Sequence, residues 1–269
     1  CSYFQISSKY QSSKVIPFPQ QNHEIDHKIQ QALEMLEKGS IEQGATILTD
    51  LLEEHPWNCN VLFGMGVLHL SRKQYDEAIE YFKKVVAISP DYIEAYYNIA
   101  VAYKEKLDIC NMFRAFQKVA SIGSPRDPLV RNAIQYLAEW NQYLLKTNKT
   151  DIDGYLCGSE FFKTACDEME RQNWQKAIEY FKKVLSITKN HYQSYGNMGI
   201  CYAKLGMKKE ALRALEQAIW LNPDYELAIV NKARIEEGKY LKDEPVEMID
   251  YTKAFVKKYK SHIAGIDPT

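Results

Sequence analysis

Glycine and proline are scarce, 12 and 9 among 269 residues. That excludes a collagen-like or low-complexity chain and argues against a many-turned β architecture, which needs turn residues at short intervals. No apolar run approaches the ~20 residues a helix needs to cross a bilayer. Neither sign of charge dominates, since 34 basic and 35 acidic side chains leave a net charge of −1. A broad electrostatic attraction to nucleic acid or to an anionic membrane is therefore missing. Cysteine occurs six times, at Cys1, Cys59, Cys110, Cys157, Cys166 and Cys201, and no two stand in C-x-x-C or zinc-ligand spacing. Scattered singly, they read as small buried hydrophobes of a reducing, cytoplasmic setting, although the even count leaves a disulfide framework open. G-x-S-x-G, the P-loop and G-x-G-x-x-G are all absent, so neither an enzyme nor a cofactor is expected.

What is present is helical periodicity. Tyr192 to Tyr225 reads as two amphipathic helices joined by a short turn and closed by Asn222-Pro223. Tyr195 is followed by Met198-Gly199, then by Tyr202, Ala211, Leu215 and Pro223. Gly199 and Ala211 are small where two helices must cross closely. Tyr195, Tyr202 and Leu215 supply bulk toward neighbouring helices, and Pro223 stops the second helix.

This spacing resembles the 34-residue tetratricopeptide repeat, aromatic-x2-L-G-x2-Y…A-x3-F…P. One such hairpin cannot bury its own apolar face and needs copies on either side. The copies are there. Ile25 to Trp57 is a weak, more polar one that keeps Ala32, Met35, Gly44, Leu48 and Pro56. Cys59 to Tyr92 is strong, with Leu62, Met65-Gly66, Ala78, Phe82 and Pro90. Ile93 to Arg126 keeps Tyr96, Ile99-Ala100, Tyr103 and Phe116 but departs at Met112 and Ser124. Gly158 to His191 keeps Phe161, Ala165, Ala177 and Phe181. Glu80 to Val85 recurs unchanged as Glu179 to Val184, preceded by Ala-Ile both times, which marks duplicated units.

The resemblance implies an all-α, right-handed superhelical solenoid of helical hairpins in two blocks. Residues 1–24 form an extended tail, with Ile16 and Phe18 able to pack on the first helices. Residues 25–126 form a first block of three repeats. Residues 127–157 hold a long capping helix, opened by Asp127-Pro128, and a turn-rich loop over Thr147 to Gly154. Residues 158–240 form a second block of two full repeats and a partial one. Residues 241–269 close the chain with a helix over Val246 to Ser261.

The resemblance also implies a non-catalytic protein–protein interaction scaffold that grips a partner peptide in its concave groove. In the family, the second, fifth, sixth, ninth, twelfth and thirteenth positions of each first helix face inward. By that register the sixth position holds Asn98, Lys163, Asn197 and Asn231. An Asn side chain both donates and accepts, so a row of them suits a peptide backbone; a tolerated polar residue on a wet helix face is the plainer alternative. Lys163, Lys204 and Arg234 suggest that the second block takes an acidic peptide or a C-terminal carboxylate, although Glu170 and Glu237 stand near the same rim. Phe63, Tyr97 and Phe162 at the fifth position suggest apolar pockets, open in the first block to a helix, a hydrophobic segment or the chain's own tail. The family's carboxylate clamp for chaperone tails is not matched. At its places stand Phe162, Cys166, Asn197, Leu227 and Asn231, of which only Asn197 fits.

His23-Glu-Ile-Asp-His27 has the H-E-x-x-H form of a zinc site, but it sits where a polar tail enters the first repeat. Glu24 and Asp26 read better as acidic residues at a helix N-terminus. Asp151-Ile-Asp153-Gly154 lacks the remaining ligands of a calcium loop. Two rival readings are a substrate-docking domain of a larger enzyme and a lipid-anchored envelope assembly factor, since Cys1-Ser2 suits the first residue of a mature lipoprotein. A chain boundary that happens to fall on a cysteine is the plainer account. Partners are expected to be proteins or peptides, with no nucleic acid and no transmembrane contact.

Overall fold

The structure, a computed structural model, describes residues 23–238. The N-terminal tail and the closing helix expected over Val246–Ser261 lie outside the described residues. Among the described residues there are twelve helices and no strand. The chain divides into two compact units between Ile134 and Gln135, a break that falls inside the long helix α7 (Pro128–Thr147).

The first unit stacks three hairpins: α1 (His23–Glu37) with α2 (Ile41–Glu54), α3 (Cys59–Ser71) with α4 (Tyr75–Ile88), and α5 (Ile93–Glu105) with α6 (Ile109–Ile122). The second stacks α8 (Ile152–Glu170) with α9 (Trp174–Ile187), then α10 (Tyr192–Lys204) with α11 (Lys208–Leu221), then α12 (Glu226–Glu236). Within α1 to α6 and within α8 to α12 each helix packs against the next in order, and first helices of successive hairpins also touch, as in α1–α3, α3–α5 and α10–α12.

One turn chemistry joins the two helices of every complete hairpin. The first helix ends at a residue with positive φ: Gly39, Lys73, Leu107, Gln172 and Gly206. In the α3–α4 turn, Lys73 N donates to Leu70 O at 2.9 Å and Gln74 N to His69 O at 2.8 Å. The same pair of bonds recurs at Gly206 and Met207, at 3.0 and 2.9 Å. This satisfies carbonyls that the helix end would otherwise leave open.

The helix crossing in each hairpin is as tight as the small residues imply. A side chain on Gly199 would meet Leu215 Cγ at 2.6 Å and Ala211 O at 3.2 Å. Gly66 lies equally close to the Phe82 ring. Ala78, Phe82, Ala211 and Leu215 are fully buried. Met112, where the pattern wants a small residue, is buried too, its unbranched side chain adapting to the space. The duplicated octapeptide folds the same way twice. Phe82 and Phe181 enter the core, and Lys84 and Lys183 sit over Tyr81 and Tyr180 at 4.7 and 4.3 Å.

One local expectation is corrected. Thr147 belongs to α7, and α8 starts at Ile152, so Ile152 to Gly154 is not loop. Asp151 caps the helix by accepting from Gly154 N at 2.7 Å, and Ile152, Tyr155 and Leu156 are buried. The cluster that reads as a turn is a cap followed by an apolar first turn.

Candidate peptide-binding groove

The candidate site lies on the first helices of the hairpins, which turn placement and tight crossings hold in fixed register. In the second unit His191 starts α10. Its ring accepts from Ser194 N at 3.2 Å and pairs with Ser194 Oγ at 2.8 Å.

The fifth-position aromatics turn into their own hairpins. Phe63 is 4% exposed and packs on Phe82 and Tyr92, with ring centroids 5.5 and 5.2 Å away. Phe162 is 3% exposed, against Phe181 and His191 at 5.5 and 5.1 Å. Tyr97 is half-buried, edge-on to Phe116 at 5.5 Å. At the sixth position, Asn98 is half-buried and Lys163 exposed, while Asn231 is 8% exposed and Asn197 fully buried. Neither Nδ2 nor Oδ1 of Asn197 has a hydrogen-bond partner among the described residues. Lys204 lies 5.9 Å from the Trp174 ring centroid. Arg234 is half-buried beside Val230, which is 46% exposed.

Two residues at this wall escaped the sequence reading. At the fifth position α10 carries Gly196, where α3, α5 and α8 carry aromatics. A side chain there would meet the Tyr225 ring at 2.7 Å and its hydroxyl at 3.1 Å. Tyr225 is nearly buried and edge-on to Tyr192 at 5.0 Å. Burial pushes its phenol far above the ordinary range, so it stays neutral. The available signal was the break in the aromatic series at Gly196.

Other titratable groups serve the scaffold. Glu168, near the end of α8, accepts from Asn173 Nδ2 at 2.8 Å and Arg171 at 3.0 Å. The Asn173 bond, with help from Arg171, lowers its pKa. The acidic residues of the H-E-x-x-H stretch are engaged on the helix surface. Glu24 pairs with Lys28 at 2.9 Å and Asp26 accepts from Asn60 Nδ2 at 3.1 Å. No cluster of His, Cys, Asp and Glu disposed for a metal occurs among the described residues. Cys59, Cys110, Cys157, Cys166 and Cys201 are free. Burial raises the Cys59 thiol to about 11 and those of Cys166 and Cys201 to about 12, which leaves these three unreactive. Cys157, expected among the buried ones, is exposed. Among the described residues no helix is long and apolar enough to cross a membrane.

Stacked two-helix units that share a core with their neighbours define a helical-repeat protein. Residues 66–106 match the family described as TPR repeat, and residues 192–225 match Tetratricopeptide repeat. The chain thus carries tetratricopeptide repeats in both units, over these two stretches, and proteins built of such repeats generally act in protein–protein interaction. It is 22% identical over 174 residues to Superkiller protein 3 of Schizosaccharomyces pombe, covering 60% of this chain and 12% of that one. It is 24% identical over 200 residues to Hsp70-Hsp90 organizing protein 3 of Arabidopsis thaliana, covering 70% of this chain and 35% of that one. It therefore spans about an eighth and about a third of the length of these relatives. Among solved structures, YrrB, described as a TPR protein with an unusual peptide-binding site, is 19% identical with a TM-score of 0.35, covering 77% of this chain and 90% of that one.

Proposed function

We propose that this chain is a non-catalytic interaction scaffold that holds an extended segment of a partner protein against the first helices of its second block, residues 158–240. The observation that carries the reading is the Asn197 amide, fully buried with both polar atoms unpartnered among the described residues. Leaving such a group unsatisfied costs about 1–3 kcal/mol. The N–H and C=O of one residue in an extended segment lie on the same edge and would supply a donor and an acceptor for both atoms. Asn231, one repeat further on, extends the row. Lys163, Lys204 and Arg234 favour acidic side chains or a terminal carboxylate along the same path. In the first block, residues 25–126, Asn98 and Tyr97 offer a second, more apolar stretch, with Phe63 as backing. Phe162, packed on Phe181 and His191, plays the same supporting part in the second block. The chaperone-tail clamp is not part of the proposal, because Phe162, Cys166 and Leu227 stand where it needs polar and basic groups.

The test is selection of displayed dodecapeptides on the full chain, followed by calorimetry with the selected peptides. Asn197→Leu combined with Asn231→Ala is expected to weaken binding by about tenfold or more while helicity is retained. Wild-type affinity in that double variant would overturn the proposal.

A further inference from the structure

Helix α3 is enclosed on every side. Each residue from Val61 to Leu70 except His69 is buried. The second helices account for one side of it: Gly64 faces Leu48 of α2, and Gly66 faces Phe82 of α4. At about 100° per residue Met65 falls between those contacts, while Val67 and Leu70 fall on the opposite side. There α2 and α4 lie behind and α1 and α5 pack on the flanks, yet Val67 is 1% exposed and Leu70 6%. Ile29 and Leu33, on the matching wall of α1, are buried as deeply, whereas Tyr97 and Val101 on α5 are only half-buried. This apolar wall is closed most fully over α1 and α3, where the chain enters the first block. A polar edge runs along the N-terminal ends of the same helices, through Asp26, Asn60 and Glu94. Asp26 accepts from Asn60 Nδ2 at 3.1 Å. Glu94 is half-buried and pairs with no cation among the described residues; burial raises its pKa, and Asp127 adds to the rise.

We propose that this wall is covered by the chain's own N-terminal tail, with Ile16 and Phe18 seated on α1 and α3, so that the first block is occupied in cis. Three features select this occupant. The tail joins α1 at His23, beside the wall. From there Ile16 can reach ~23 Å, and Val67 lies about 18 Å away, two to three turns along and one helix across. Pro17 and Pro19 favour an extended backbone, in which Ile16 and Phe18 share a side. Finally, the charged side chains of residues 1–22 are Lys9 and Lys14, with no acid among them, and they complement the edge at Glu94 and Asp127. The proposal concerns the first block and does not depend on the groove of the second. A tethered segment acts at an effective concentration on the order of mM, so a partner that uses the first block must displace it.

The probe is a synthetic peptide of residues 1–22, with serine for Cys1. It is titrated by calorimetry into the full chain and into the full chain carrying Ile16→Asp and Phe18→Asp. Both substitutions lie in the tail, so the helices should fold as in wild type, which circular dichroism checks. The double variant vacates the wall and is expected to bind the peptide at least about tenfold more tightly than the wild type, whose own tail competes. Replacing Lys9 and Lys14 of the peptide with alanine is expected to weaken that binding about threefold, less so at high salt. A peptide with a photoreactive benzoyl group on Phe18 is expected to cross-link to α1 or α3. Failure of the peptide to bind the double variant overturns the proposal and leaves the wall closed by its own packing or by residues 239–269. Equal binding to the two chains, or cross-links that fall outside α1 and α3, overturns it as well.

Discussion

At the scale of single residues, two buried polar groups on the second unit's first helices have opposite characters. Glu168 is satisfied by Asn173 and Arg171, so it serves stability. Its folded pKa lies below the ordinary carboxylate value. The stabilisation is therefore complete above that ordinary value and is lost as pH falls through the lowered folded one. Thermal melts of Glu168→Gln are expected to lie below wild type at neutral pH, with the gap closing below about pH 4. Asn197 is the reverse, buried and unpaired. Replacing it with leucine, of similar volume, removes a desolvated amide and is expected to leave melting unchanged or slightly raised while binding falls. Retention of binding in that variant would count against the proposed role of Asn197.

At the scale of elements, helix ends decide the register that places these side chains. Asp151 holds the first turn of α8 through Gly154 N. Asp151→Ala is expected to cost about 0.5–2 kcal/mol in denaturant melts. The loss should be local, because α8 is anchored further along by Phe162 and Ala165, both buried. The positive-φ residues that end the first helices are the complement of such caps. At Lys73, Leu107 and Gln172 the chain accepts a left-handed residue other than glycine, which shows that hairpin geometry outweighs the local strain of about 1–2 kcal/mol.

At the scale of the whole molecule, stability in a stack of hairpins is a sum of near-neighbour terms. Gly199→Leu forces a branched side chain onto Leu215 and the Ala211 carbonyl and is expected to cost about 1–3 kcal/mol or more. Hydrogen exchange should report that cost in α9 to α12, the helices packed on or next to the damaged crossing. Protection in α1 to α6 should stay at its wild-type level. Uniform loss of protection across both units would mean that the chain unfolds as one cooperative body.

The repeating pattern of small and bulky residues determined the fold by itself. Gly66, Ala78, Phe82, Gly199, Ala211 and Leu215 define the crossing without reference to distant parts of the chain, because each hairpin is a local structure and its copies confirm one another. The four residues that separate α7 from α8 were not legible in the same way. Asp151-Ile-Asp-Gly suits a turn and a helix start equally, and only the burial of Ile152, Tyr155 and Leu156 chose between them. The same holds at the proposed groove. Register named the row containing Asn98, Lys163, Asn197 and Asn231, since it follows from periodicity. Which members are buried, which aromatics turn inward, and that Tyr225 lies against Gly196 depend on how one hairpin closes on the next, and three-dimensional packing alone decides that.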